Sequence, residues 1–262
     1  MSTIKLTFGL PGAASSPATF SIDPVTKAAA GRVERGGHCA CLASRTRRGS
    51  PGVPKLHAEV QDVSAQGWRK LLELVTNASA ENTTIFEPSA GIPGDQWSGV
   101  ITLPGEIETL SAVKQMRLYG SHLRRLPPQI GCLKALKNLD VYTSYSLHWL
   151  PYEVMRCAQL RQTRMSTRAL YGNIKTRLPF PRLAGPIEPL MPRTCSVCDR
   201  VFDDRGPQLF WTTQRIGTDI APLLIHSCSP ACTALVPDAP EGYHARPHKG
   251  GGGVGMPDPE AD

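Results

Sequence analysis

Apolar residues follow two different periods along the chain. Between residues 64 and 77 they recur at helical spacing, with Trp68, Leu71, Leu72 and Val75 on one face. This spacing predicts an amphipathic helix, for which Ser64 is a plausible N-cap. From about residue 100 the pattern changes to a longer sequence repeat, which predicts a different architecture for the middle of the chain.

The dipeptide Leu-Pro marks this repeat. It occurs at 103–104, 126–127 and 150–151, and the apolar residues that follow it align. The aligned sets are Ile107, Ile130 and Val154, then Leu110, Leu133 and Cys157, then Val113, Leu136 and Leu160. A period of about 20–29 residues of this kind is typical of leucine-rich repeats, each supplying one short strand and one return segment. We therefore predict an α/β fold in which about three repeats, 101–183 (the repeat block), form a short solenoid.

The rest of the chain divides around the repeat block. One repeat cannot bury its apolar stripe alone, so both ends of a stack need a cap. We expect residues 56–100, with the helix, to be the N-terminal cap and residues 184–236 to close the C-terminal end. Residues 1–55, with a basic cluster at Arg45, Arg47 and Arg48, are predicted to be a poorly ordered arm, and residues 237–262, rich in Pro and Gly, a disordered tail.

Four segments of the repeat block resemble bacterial intracellular leucine-rich-repeat proteins of the 23-residue type. They are Leu118-Tyr-Gly-Ser, Val141-Tyr-Thr-Ser-Tyr, Leu147-His-Trp-Leu-Pro-Tyr-Glu-Val and Ser166-Thr-Arg-Ala-Leu-Tyr-Gly-Asn. The resemblance covers residues 100–183, extends more loosely through the later cysteines, and implies a fold and a binding role without an enzymatic activity. The sequence departs from the family where Asn usually ties neighbouring turns, because Ser121, Ser144 and Arg168 stand there.

One face of the predicted strands is polar. Side chains alternate along a strand, so the residues that flank the buried positions share the concave face. These candidate partner-binding residues are Gln115, Arg117, Tyr119, Asn138, Asp140, Tyr142, Gln162, Arg164 and Ser166. Tyr and Arg often anchor protein interfaces, which favours a protein-binding surface; the alternative is a solvated ladder in which Asp140 neutralises Arg117 and Arg164.

The charge of the repeat block points to an acidic or mixed-charge partner. The whole chain carries +7, whereas the repeat block alone holds 13 Lys and Arg against 4 acids. A nucleic acid stays open as an alternative partner, although no aromatic stacking platform interleaves with the basic residues.

Four cysteines near the C-terminus have metal-ligand spacing. Cys195-Ser-Val-Cys198 is followed after 29 residues by Cys228-Ser-Pro-Ala-Cys232. Zinc takes four thiolates tetrahedrally, and a C-x2-C turn brings two of them to one ion. With the short strands expected between the pairs, the pattern predicts a treble-clef-like module holding structural Zn²⁺. Two alternatives are a redox dithiol at Cys195 and Cys198, and His226 as a substitute ligand.

The other candidate residues give weaker indications of a function. We interpret Cys132 and Cys157 as core or core-edge thiols, and Cys39-Ala-Cys41 as without a defined role beyond adventitious metal binding. Phe202, Phe210 and Trp211 form a further candidate docking surface if they are exposed. The sequence lacks the common phosphate-loop, G-x-S-x-G and H-E-x-x-H motifs. It also lacks a membrane-spanning apolar run and a secretory signal, so we expect a cytoplasmic protein without enzymatic activity.

Overall fold

The computed structural model describes Cys41 and residues 54–254, with a mixed α/β fold. The helices are α1 (Gln66–Ala80), α2 (Gly94–Trp97) and α3 (Pro230–Ala234), and the strands are β1 (Ile85–Phe86), β2 (Gln115–Arg117), β3 (Asn138–Val141), β4 (Leu150–Pro151), β5 (Gln162–Met165), β6 (Gln208–Ile216) and β7 (Asp219–Ser227). None of the helices within these residues has the length and apolar character of a membrane-crossing segment. The arm predicted for 1–55 lies outside the described residues apart from Cys41, Pro54 and Lys55.

Helix α1 covers the β1 end of the fold. Its buried residues include Leu71, Val75 and Ala78, and Leu71 and Val75 belong to the apolar face that the helical spacing predicts. The N-cap position is held by Ala65, and no side chain caps the helix. The expectation of a Ser64 cap is therefore wrong, because the Ser64 hydroxyl donates to Asp62 at 2.6 Å instead.

Strands β1, β2, β3 and β5 form a parallel sheet in that order. Gln115 pairs with Asn138 and Asn138 with Gln162, so neighbouring strands are 23 and then 24 residues apart. These steps equal the spacing of the Leu-Pro dipeptides. Each dipeptide leads into a 3-10 turn, and the three turns, which pack side by side, are Gly105–Thr109, Pro128–Cys132 and Tyr152–Arg156.

One pair of serines connects the turns after β2 and β3. Ser121 and Ser144 stand where the family pattern has Asn, both are buried, and their hydroxyl oxygens lie 2.7 Å apart. The residues just before them, Gly120 and Thr143, both adopt positive φ, at 67° and 62°. The two turns thus keep equivalent backbone shapes although their side chains differ.

The C-terminal hairpin shares the core of the repeat block. Strands β6 and β7 pair in antiparallel fashion, and β7 also pairs in parallel with β4. Ile216, Ala221 and Leu223 of the hairpin lie in the same buried cluster as the repeat leucines. The turn of the hairpin covers β5, because the Thr163 hydroxyl donates to the Ile216 carbonyl at 2.7 Å and the Thr218 hydroxyl to the Thr163 carbonyl at 2.8 Å. The open edge of the parallel sheet is protected in this way.

Residues 237–254 are placed against the body of the protein, which corrects the prediction of a disordered tail for this part. The backbone of His248 pairs with that of Trp211 through bonds of 2.8 and 3.0 Å. Gly250 has φ of 69°, and an added Cβ would collide with the carbonyl of Pro181, so a glycine is required there. Backbone pairing leaves no side-chain pattern in the sequence. The last part of the predicted tail, 255–262, lies outside the described residues.

Candidate metal centre and strand face

The first cysteine pair lies on a tight turn that is stabilised by backbone bonds. Thr194 and Val201 form an antiparallel bridge, and the N–H of Cys195 donates to the carbonyl of Arg200 at 2.8 Å. Asp199 closes the turn with φ of 63° and donates its N–H to the Cys195 carbonyl at 3.0 Å. This turn directs the thiols of Cys195 and Cys198 toward one point.

The second cysteine pair lies at the start of α3. Cys228 follows β7, and Ser229 is the N-cap of the helix, where its hydroxyl accepts the N–H of Cys232 at 3.2 Å. Pro230 occupies the first turn, a position in which its missing N–H has no cost. The capped turn brings Cys232 back toward Cys228.

All four thiols form a cluster that can hold a metal ion. Their sulfur atoms lie within 4.8 Å of one another, and Cys228 Sγ is 3.6 Å from both Cys198 Sγ and Cys232 Sγ. Sulfurs around a tetrahedral zinc, with bonds of about 2.3 Å, are about 3.8 Å apart, whereas a disulfide needs about 2.05 Å. The separation fits metal coordination and does not fit a disulfide.

The surroundings of the cluster favour a thiolate at Cys198 and fix the turn to the repeat block. The backbone N–H of Arg200 donates to the Cys198 sulfur and lowers the pKa of that thiol to about 7. Arg156, from the third repeat, donates to the carbonyls of Cys195 and Ser196 at 3.1 and 2.9 Å and pairs with Asp199 at 3.0 Å. The turn therefore cannot move without breaking contacts to the repeats.

His226 is not a member of the cluster. Its backbone N–H donates to the Ser196 hydroxyl and its carbonyl accepts the Ser196 N–H, so it positions the turn through the main chain. Its ring lines a cavity of about 250 Å³ together with Arg125 and Trp149. Burial lowers the pKa of His226 to about 4, which keeps the ring neutral. Sequence reasoning missed this cavity, whose walls come from the repeat block, from Leu190 and Met191, and from β7.

The nine candidate partner-binding residues lie in rows across β2, β3 and β5 or just beyond them. Arg117, Asp140 and Arg164 are direct neighbours in the sheet. Arg164 lies 3.4 Å from Asp140, but Arg117 pairs with Glu87 at 3.1 Å. Burial raises the pKa of Asp140 above its usual value.

Two tyrosines and one arginine form the outer layer of this face. The rings of Tyr119 and Tyr142 stack at 6.1 Å, and the guanidinium of Arg164 lies 4.6 Å from the Tyr142 centroid and 5.5 Å from that of Tyr119. Tyr142 is exposed, whereas Asn138 and Asp140 are buried beneath the layer. Ser166 is partly withdrawn from the surface, because its hydroxyl accepts the N–H of Thr143 at 2.9 Å.

Acids from outside the repeat block compensate part of its positive charge. Each of three block arginines pairs with an acid from a flanking segment. The pairs are Arg117 with Glu87, Arg124 with Glu59, and Arg156 with Asp199. The surface is less basic than the sequence count indicates.

The remaining described cysteines differ in their surroundings. Cys157 is buried, donates its S–H to the Ile130 carbonyl at 3.1 Å, and has a pKa raised to about 11 by burial. Cys132 is exposed, so its assignment to the core or core edge is wrong. Cys41 lies beside His57 and His148, and the interpretation that it has no defined role missed this cluster; Cys39 lies outside the described residues.

Trp211 is buried and is not a docking residue, so the expectation that it forms part of a docking surface is wrong. Its ring is fully buried with Trp149, Tyr171 and Phe180, and its Nε1–H donates to the Pro181 carbonyl at 2.9 Å. The tryptophan therefore holds residues around 181 against the hairpin.

Comparison of the sequence with models of known protein families and with curated proteins gives no match. The resemblance of residues 100–183 to bacterial leucine-rich-repeat proteins rests on the sequence motifs alone. Functional inference therefore depends on the geometry of the cysteine cluster and of the strand face.

Proposed function

We propose that this protein is a non-enzymatic protein-binding module. In this proposal residues 101–183 are a short leucine-rich-repeat solenoid, and the face formed by β2, β3 and β5 binds a partner protein with an acidic or mixed-charge surface. The cysteine cluster holds a structural Zn²⁺ in a treble-clef-like unit that closes the C-terminal end of the stack.

The layer of Tyr119, Tyr142 and Arg164 is the observation that supports this function best. Aromatic rings and guanidinium groups give a large contact area together with directed hydrogen bonds, and they dominate the binding energy of many interfaces. Here they are held in place before binding, because Arg164 is fixed by Asp140 below and lies near both rings. A pre-organised anchor loses less conformational entropy when a partner binds.

The zinc has a structural role in this proposal. Four thiolates complete a tetrahedral shell, so no position is left for a water or a substrate. Two of the ligands, Cys195 and Cys232, are buried. A closed and half-buried site is suited to holding the turn at 194–201 against α3.

The nucleic-acid alternative has weaker support from the structure. The basic residues of the repeat block are its main argument, yet three of the arginines are engaged by acids from flanking segments. Binding of this kind would weaken steeply as salt is raised. A fluorescence titration with DNA and RNA at several salt concentrations distinguishes it from binding of a protein.

A site-specific cross-linker tests the protein-binding face. Tyr142 and Tyr145 are matched, since they are 38% and 40% exposed. Tyr142 directly follows β3 and its ring lies against Arg164, whereas Tyr145 lies in the turn beyond. With a photo-reactive phenylalanine analogue in place of Tyr142, we expect a discrete cross-linked protein from native cells, and none with the analogue in place of Tyr145. The same products from both positions, or none from position 142, would contradict the proposal.

Charge reversal of Arg164 is a poor test of this face. Glu in its place would set a second carboxylate against the buried Asp140, which would destabilise the sheet as well as the interface. The paired substitution Tyr119→Ser and Tyr142→Ser removes the anchor without adding charge. We expect it to abolish the cross-linked product formed by an analogue placed at Gln162, with the unfolding temperature retained to within a few degrees.

A further inference from the structure

A second group of metal-ligating side chains lies apart from the four-cysteine cluster. It consists of Cys41, His57 and His148, each of which offers a donor atom within 4.8 Å of the other two. Cys41 Sγ is 3.2 Å from His148 Nε2, and the two imidazole rings are nearly parallel with centroids 5.4 Å apart. Both histidines are buried, at 4% and 1% exposure.

Each histidine has a partner that orients its ring. His148 Nδ1 lies 2.6 Å from the Ala169 carbonyl, and His57 Nδ1 lies 3.0 and 3.1 Å from the two carboxylate oxygens of Glu59. A carbonyl or carboxylate accepts only, so Nδ1 carries a proton in both rings, and in the neutral form of each ring Nε2 has the lone pair that a metal would use. Histidines that ligate metals are held in this way by a second partner, which fixes the tautomer and raises the basicity of the ligating nitrogen.

We propose that Cys41 Sγ, His57 Nε2 and His148 Nε2 bind a second zinc ion. A thiolate and two imidazoles are donors that zinc prefers, whereas Mg²⁺ and Ca²⁺ take oxygen ligands. Around a tetrahedral zinc, sulfur and nitrogen ligands lie about 3.6 Å apart. The observed 3.2 Å between Cys41 and His148 differs from that value by a few tenths of an ångström.

The ion would join segments that are remote in sequence. Cys41 and His148 are separated by 107 positions, and His57 lies at the start of the predicted N-terminal cap. The same stretch is held by two other contacts, since Glu59 pairs with Arg124 of the repeat block at 2.8 Å and Gln61 accepts the Ile101 N–H at 2.9 Å. Zinc at this site would fasten Cys41 and the stretch 54–61 to the side of the repeat block.

Metal counting on the full chain tests the second site. Native mass spectrometry of the zinc-loaded protein should give two ions per wild-type chain and one in either Cys41→Ser or His148→Gln. The control Cys132→Ser, an exposed thiol outside both clusters, should keep two. One ion per wild-type chain, or two ions in both ligand variants, would overturn the proposal.

Cobalt distinguishes the two sites even if a variant does not fold. Sulfur-to-cobalt charge-transfer absorption grows with the number of thiolate ligands, so a wild-type chain with two Co²⁺ ions should absorb less per cobalt than a four-thiolate site alone. Two cobalt ions with the full four-thiolate intensity per ion would exclude a site with a single thiolate.

The orienting carboxylate gives an independent measurement. Glu59→Ala should lower zinc affinity at the second site by about 10–100-fold, the usual loss when such a partner is removed. Glu73→Ala is a matched control, because Glu73 is exposed and pairs only with Lys70 among the ion pairs of the described residues. Equal zinc affinity in Glu59→Ala and Glu73→Ala would contradict the role given to Glu59 and with it the ligand geometry.

Discussion

Removal of the proposed zinc from the four-cysteine cluster is expected to destabilise the repeat block together with the hairpin. Ile216, Ala221 and Leu223 of the hairpin pack in the core of the repeats, and the Thr163 side chain of β5 bonds to the hairpin turn. The two parts cannot separate without exposing this shared apolar surface. The metal-free protein should therefore unfold in one cooperative transition at a lower temperature.

The size of the effect follows from linkage between binding and folding. A ligand that binds only the native state, at a free concentration about 1,000 times its Kd, stabilises that state by about 4 kcal/mol. In a domain of about 150–250 residues each kcal/mol moves Tm by about 2–4 °C, and the described residues, 54–254, fall at that size. We expect a loss of about 8–16 °C when the zinc is removed.

Calorimetry and circular dichroism of the full chain, with zinc and after chelation, measure this loss. The background should be Cys41→Ser, so that the four-cysteine cluster is the only proposed zinc site that responds. Adding Cys195→Ser and Cys198→Ser should reproduce the chelated state, whereas adding Cys132→Ser should leave the zinc effect intact. A repeat transition at unchanged temperature, with a separate hairpin transition below it, would refute the reasoning.

Three further changes test particular contacts. Ser144→Ala should lower the free energy of unfolding in urea by about 1–3 kcal/mol, because it leaves the buried Ser121 hydroxyl unpaired; Ser121→Ala added to it should recover part of that loss. Gly131→Ala should cost about 1–3 kcal/mol in the same assay, since its Cβ would lie 2.6 Å from the Glu153 carbonyl oxygen. Burial, with a smaller effect of a neighbouring histidine, lowers the pKa of His248 to about 4. As the pH drops, the unfolded state therefore binds this proton before the folded state does, and the free energy of unfolding falls between about pH 6.5 and 4. His248→Asn should remove this part of the pH dependence, and an unchanged slope between pH 6.5 and 4.5 would contradict it.

The sheet register could be predicted because side chains determine it. Leucines and prolines that recur every 23 and 24 residues must occupy equivalent places if each strand is to bury the same face, and Asn138 and Gln162 pair at that spacing. The four-cysteine cluster could be predicted for a similar reason. Four thiols in two close pairs have few arrangements other than a shared ion or a disulfide, and the spacing of Cys195 and Cys198 favours the ion.

Other features depend on contacts that leave no local pattern. His57 and His148 are isolated histidines in the sequence, and only the fold brings them next to Cys41. A cysteine before residue 55 with two histidines later in the chain is a weak signal that many unrelated sequences share. The packing of residues 237–254 was missed because it depends on backbone bonds between His248 and Trp211, in a segment whose glycines indicated a tail.

The position of the hairpin gives the proposed metal ion a structural role at this end. Two antiparallel strands alone are marginally stable in water, so β6 and β7 depend on β4, on the repeat core and on the turn held by the cysteines. Arg156, in the last of the three stacked 3-10 turns, anchors this cysteine turn by donating to the carbonyls of Cys195 and Ser196. The hairpin then covers the edge at β5 while the side chains of Tyr119 and Tyr142 stay outside it. Closure of the sheet edge and accessibility of the proposed binding face are therefore compatible in one small fold.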